Sequence, residues 1–162
     1  MQHGSGHIVS LFAGLVLVGC AEVPLKPLRI PAERNSGTVI VFRESAFAAG
    51  GVTLTVGLKD AAFALLRNSE KVTARLAVGE HEFFVQARSA EATRLRAHVK
   101  AGGVLCLRTS SSPSTYAKTL LPPLLMITGY HFYLDEVTCP GREELNKYVE
   151  VIPAYEASSG GR

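Results

Sequence analysis

The chain has 162 residues, 47% of them hydrophobic and 19% charged, with a net charge of +3 at pH 7 and no tryptophan. That composition excludes a disordered or fibrous polymer, and so mild a charge does not indicate a nucleic-acid binder. The length fits one domain with a real hydrophobic core. No Lys, Arg, Asp or Glu precedes Glu22, so the amino end stands apart from the rest.

Residues Ile8 to Gly19 read IVSLFAGLVLVG, an apolar run of twelve. As a helix it would span about 18 Å, well short of the roughly 30 Å hydrocarbon core of a bilayer. The length fits the apolar region of a secretory signal peptide. The preceding MQHGSGH has no Lys or Arg, so its positive charge rests on the amino terminus, His3 and His7. The run ends in Leu17-Val18-Gly19-Cys20, which resembles the lipobox of bacterial lipoprotein signals. The resemblance implies cleavage before Cys20 and attachment of diacylglycerol to its thiol, leaving residues 1–19 as a signal peptide. An ordinary secretory signal and an N-terminal core strand are the alternatives. Each buried acyl CH₂ contributes about 0.8 kcal/mol, so two or three chains anchor a protein durably. Ala21 follows the cysteine, where enterobacterial sorting would use Asp to retain a lipoprotein in the inner membrane. The expected location is therefore the periplasmic face of an outer membrane, where the source has one.

Residues 20–36 continue with Pro24, Pro27 and Pro31, a density that predicts an extended, poorly packed tether. Sixteen residues from Ala21 to Ser36 reach at most about 55 Å.

From Gly37 the pattern turns to period two, the mark of half-buried strands. Thr38 to Arg43 is apolar enough for burial on both faces. Gly50-Gly51 marks a turn, then Val52, Leu54 and Val56 alternate with Thr53 and Thr55. Leu58 to Arg67 has good helix formers, yet the turn signals at Gly57 and Asn68-Ser69 favour a short strand. Val72, Ala74 and Leu76 form one apolar face, and His81, Phe83, Val85 and Ala87 another beyond Gly79. Thr93 to Lys100 alternates again, Gly102-Gly103 turns into Val104 to Thr109, and a last run lies around Ile127 to Val137. Pro140 to Asn146 predicts a helical turn or two, and residues 153–162 a disordered tail. These signals predict an all-β domain over residues 37–152, a small antiparallel β-sandwich of about seven strands with a short C-terminal helical turn.

Three pieces of this stretch carry a family resemblance. They are the first strand ending in Arg (Val39 to Arg43), a Val-x-Gly-like turn near Val56-Gly57, and the Leu76 to Val85 piece with its Gly79-Glu80-His81. Together they resemble an uncharacterised bacterial lipoprotein family with a small β-sandwich domain of unknown function. The last piece is also similar to the hairpin of PEGA-type surface-layer domains, with Val78 in place of the proline. The resemblance implies a β-sandwich in the cell envelope and no enzymatic activity, and fold alone cannot establish an activity.

With Cys20 assigned to lipid, Cys106 and Cys139 remain, an even number for an oxidising compartment. They are expected to pair, the alternative being two buried free thiols. His81, His98 and His131 give no metal-ligand spacing: His131 and Asp135 on a strand stand about 13 Å apart. His81 reads as a hairpin residue bonded to backbone. No metal and no cofactor are expected. Ser110-Ser111-Ser112 has no nucleophile motif around it and reads as loop chemistry with Pro113 and Ser114. Arg94, Arg96, His98 and Lys100 share the polar face of one strand, a basic row that suits an anionic lipid, an envelope polymer or an acidic partner. The alternative is a solvated face whose charges blunt a sheet edge. Leu120 to Ile127, with Pro122-Pro123, reads as a buried crossover, or as a contact surface if exposed.

The sequence therefore predicts a non-catalytic binding or structural module, held at a membrane through lipid on Cys20, with no nucleic-acid partner. An envelope hydrolase and a carrier of hydrophobic ligands are the competing functions.

Overall fold

The period-two alternation becomes nine strands in the computed structural model, which describes residues 24–29, 31–46, 49–88, 90–112 and 130–155. In chain order they are β1 (Ser36–Arg43), β2 (Leu54–Leu58), β3 (Ala61–Leu66), β4 (Glu70–Ala77), β5 (Gly79–Ala87), β6 (Thr93–Val99), β7 (Val104–Ser111), β8 (Phe132–Val137) and β9 (Val149–Val151). One helical turn, α1 (Arg142–Leu145), precedes β9. The strands form two sheets, ordered β8-β7-β1-β4-β9 and β3-β2-β5-β6. The fold is thus the all-β sandwich that the alternation predicts. The four-stranded sheet is antiparallel throughout, whereas β1 runs parallel to β7 and β4 parallel to β9.

Side chains from both inner faces fill the space between the sheets. Val39 and Val41, Val72, Ala74 and Leu76, and Leu105 and Leu107 come from one sheet, and Leu54, Val56, Phe63, Leu66, Phe83 and Val85 from the other, all buried. β1 is the central strand of its sheet; Thr38 and Ile40 on its outer face are half-buried, and Phe42 is buried there because Tyr148 covers it, with its ring 5.2 Å away. The ambiguous Leu58 to Arg67 stretch is strand β3. A register shift at Val56/Gly57 breaks its alternation, which is why Ala62, Phe63 and Ala64 are buried in succession.

The piece read as a hairpin around Gly79-Glu80-His81 is a corner instead. β4 and β5 lie in different sheets, and Gly79 turns the chain between them at φ +134°, a conformation that excludes side chains. His81 does bond to backbone there, with Nε2 2.7 Å from the Ala77 carbonyl.

Two further expectations are corrected at the chain's ends. The tether does not stay free over its whole length. The amide of Ala62 donates to the Pro24 carbonyl (3.2 Å) and the amide of Lys26 to the Ala62 carbonyl (2.8 Å), so residues 24–26 lie parallel to β3. The first residues of the expected tail are ordered as well. Ala154 donates to the Phe63 carbonyl at 2.9 Å and accepts from the Leu28 amide at 2.7 Å. Both corrections have one cause: β3 is an edge strand, and its outward peptide groups are satisfied by whatever backbone lies beside them. Cys20 and Leu120 to Ile127 lie outside the described residues.

Arg43, at the end of β1, is only 1% exposed. Its guanidinium donates to the carbonyls of Val52, Ala49 (2.6 Å) and Leu66 (3.4 Å) and lies 5.1 Å from the centre of the Phe132 ring. Burial pushes its pKa below the usual arginine value, and the negative charge of Glu70 works the other way. Arg43→Met keeps most of the volume and removes every donor. It is expected to lower the unfolding free energy by at least about 2 kcal/mol, since buried carbonyls left without a donor cost about 1–3 kcal/mol each. Urea denaturation followed by circular dichroism measures it, and wild-type stability in the variant would refute the role.

The expected disulfide is present. Cys106 on β7 and Cys139, two residues past the end of β8, are bonded with their Cα atoms 5.1 Å apart and a sequence separation of 33. A loop of that size is worth about 3–4 kcal/mol in the chain-entropy account. Reduction, or the paired change Cys106→Ala with Cys139→Ala, should lower the unfolding free energy by about that amount. An unchanged urea midpoint after reduction would contradict it.

Candidate functional site

The basic row predicted from the sequence is on β6, the free edge of the four-stranded sheet. Antiparallel register sets three of its members beside residues of β5, Arg94 opposite Phe84, Arg96 opposite Glu82 and His98 opposite Glu80, while Lys100 follows the end of β6. Period two then puts all six on the outer face. Arg94 Nη1 lies 2.8 Å from Glu82 Oε1, Arg96 Nε 3.4 Å from Glu82 Oε2, and His98 Nδ1 3.0 Å from Glu80 Oε1. Three of the four predicted residues are therefore paired with carboxylates, and the row is a ladder of opposite charges rather than a bare cationic stripe. The sequence showed the cations because they recur on one strand. Their partners stand on the neighbouring strand, and only the β5–β6 register joins the two sets.

Arg94 has further contacts. Nη1 also donates to the Lys59 carbonyl at 2.7 Å, and the guanidinium carbon sits 5.7 Å from the centre of the Phe84 ring. Phe84 is on the outward face yet only 1% exposed, because Arg94 covers one side of it and β2 the other. On the β2 side its cross-strand partner is Gly57. A Cβ at Gly57 would stand 2.2 Å from Phe84 Cε1 and 2.3 Å from the Ala61 carbonyl oxygen. The glycine is thus required by the ring's close approach, and Gly57, Phe84 and Arg94 form a stack across three adjacent strands. An aromatic ring laid on a strand glycine restores the cross-strand packing that the glycine lacks.

Beside the stack, a shallow open groove of about 720 Å³ lies between the Lys59-Asp60 turn and Glu80, His81, Arg94 and Arg96. Its walls carry both signs of charge, three carboxylates against Lys59, Arg94 and Arg96. His81 and His98 each have one ring nitrogen engaged, with the Ala77 carbonyl and Glu80 respectively. Lys100, the fourth member of the row, is exposed, and among the described residues no carboxylate is within ion-pair distance of it or of Lys59.

The other singled-out residues do not converge here. Ser110 and Ser111 are strand residues opposite Tyr133 and Phe132, and Ser112 is buried with its amide on the His131 carbonyl. That differs from the expected loop, while Pro113 and Ser114 lie outside the described residues. Among the described residues, no three His, Cys, Asp or Glu side chains gather as a metal-binding group.

Gly57→Ala should cost about 1–3 kcal/mol, the range for forcing extra atoms into a packed site, with the obstruction partly backbone. Glu82→Gln should cost about 1 kcal/mol or less, since its partners are exposed and water screens the pairs. Thermal unfolding of both variants checks the order, and the reverse ranking would deny the stack its role.

Comparison of the chain with protein-family models, with curated proteins and with solved structures found no match.

Proposed function

We propose that this chain is a lipid-anchored lipoprotein of the cell envelope whose β-sandwich acts by contact, as a binding or structural module without catalysis. The observation that carries the reading is the apolar run from Ile8 to Gly19 ending in Leu17-Val18-Gly19-Cys20. It is too short to span a bilayer and ends on the one residue type to which diacylglycerol is attached. The Cys106–Cys139 bond gives independent support. A structural disulfide suits an oxidising compartment outside the cytosol, and it accounts for two of the three cysteines, leaving Cys20 as the odd one. Among the described residues no helix is long and apolar enough to cross a membrane. The reading extends to the resemblance with small β-sandwich lipoproteins, supported by the strand Val39 to Arg43 with its buried terminal arginine.

The test is metabolic labelling with palmitate in a bacterial host, followed by membrane fractionation. The wild-type chain is expected to take up label and sediment with membranes, and Cys20→Ser to do neither. A Cys20→Ser chain that stays membrane-bound with its label unchanged would overturn the proposal.

A further inference from the structure

The docked amino-terminal segment fixes where the chain leaves the sandwich. Leu25 bridges Ala62 in parallel and the Ala62 amide donates to the Pro24 carbonyl, so Pro24 lies at the start of β3, beside the Lys59-Asp60 turn. Three residues, Ala21, Glu22 and Val23, separate Cys20 from Pro24. Their reach is at most about 14 Å, a quarter of what an unpacked tether would allow.

Register shows what else is at that end. Lys59 donates its amide to the Glu82 carbonyl at 2.8 Å, and Gly79 stands opposite Val99. The start of β5 and the end of β6, with Arg96, His98 and Lys100, therefore lie at the Lys59 end. The other sheet brings the corner residue Val78, which follows Ala77 opposite Ser36, and Val104 opposite Thr38. Both valines are exposed, by 40% and 57%. Glu82 and Glu80 are occupied by Arg94, Arg96 and His98, and Lys59 and Lys100 at this end have no carboxylate partner among the described residues.

We propose that this end of the sandwich, carrying Lys59, Arg96 and Lys100, rests on an anionic phospholipid surface, held there by the short leash to Cys20. The inference rests on the lipidation of Cys20 proposed above. The leash makes contact intramolecular in effect, so weak attractions suffice. Each cation close to an anionic surface raises the apposed population roughly fivefold, the equivalent of about 1 kcal/mol. The opposite end, where Val149 lies beside Glu70, faces away from the bilayer.

The full, acylated chain can be placed in vesicles of phosphatidylethanolamine and phosphatidylglycerol containing a headgroup-nitroxide lipid. The chain has no tryptophan, so Val104→Trp or Val78→Trp reports on the near end and Val149→Trp, at a site 64% exposed, on the far end. The near-end tryptophans should be quenched several-fold more than the far one. Lys59→Gln with Lys100→Gln should lower the apposed-to-free ratio by roughly twentyfold, and phosphatidylcholine vesicles should do the same. Mass spectrometry reads the acyl group separately. An acylated chain with both ends quenched alike overturns this inference alone, whereas a chain with no acyl group removes the lipoprotein reading and this inference with it.

Discussion

A guanidinium buried among carbonyls, that of Arg43, joins parts of this sandwich that no strand pairing connects. It stands at the end of β1 in the middle of one sheet and reaches Ala49 and Val52 in the connection to β2 and Leu66 at the end of β3 in the other. Connections between sheets leave peptide groups that no ladder satisfies, and burying such groups is unfavourable unless a donor meets them. Arginine suits the position because its planar fork presents several donors at once and keeps its charge when desolvated. The ring of Phe132 under it brings in β8, so one side chain gathers the central strand, an edge strand and the sheet-to-sheet connection. Among the described residues no carboxylate pairs with it, and carbonyl dipoles and a ring face take that place.

The sandwich was legible where one face of a strand meets the core and the other meets water. β4, β6 and β8 show it: Val72, Ala74 and Leu76, or Phe132 and Leu134, alternate with exposed or half-buried neighbours. Legibility fails where a second layer covers the outer face or the register shifts. β3 looked partly helical because Ala62, Phe63 and Ala64 are all buried, by the bulge on one side and the docked chain ends on the other. β9 escaped notice because three residues, two of them exposed, carry almost no hydrophobic period. The parallel pairing of β1 with β7 could not be read either, since their register is set by long connections rather than by any local turn signal. The cysteine pair could be read by counting, which needs no geometry, and the geometry then agrees.

The candidate site shows the same division. A row of like charges on one strand is visible in a sequence, and its neutralisation is not, because Glu80 and Glu82 belong to the neighbouring strand. The glycine under Phe84 was noticed as a turn signal near Val56. Its role is the reverse of a turn residue's: it is paired within β2 and gives room for a ring.

Sealing the edge of β3 and shortening the tether are one event in this fold. The peptide groups along the outside of β3 need partners, and residues 24–26 supply them. By doing so they remove most of the slack that the prolines between Cys20 and Gly37 would otherwise provide. Where Cys20 is lipidated, a chain that satisfies its edge also fixes which end meets the lipid. The Arg94–Arg96–Glu82 cluster keeps one net positive charge, two guanidiniums against one carboxylate, and salt screens it beyond about 8–10 Å. Lys59 and Lys100, which flank the ladder rather than belong to its paired part, are the cations that the proposed membrane contact would draw on, while the paired arginines keep the sheet edge closed to other strands.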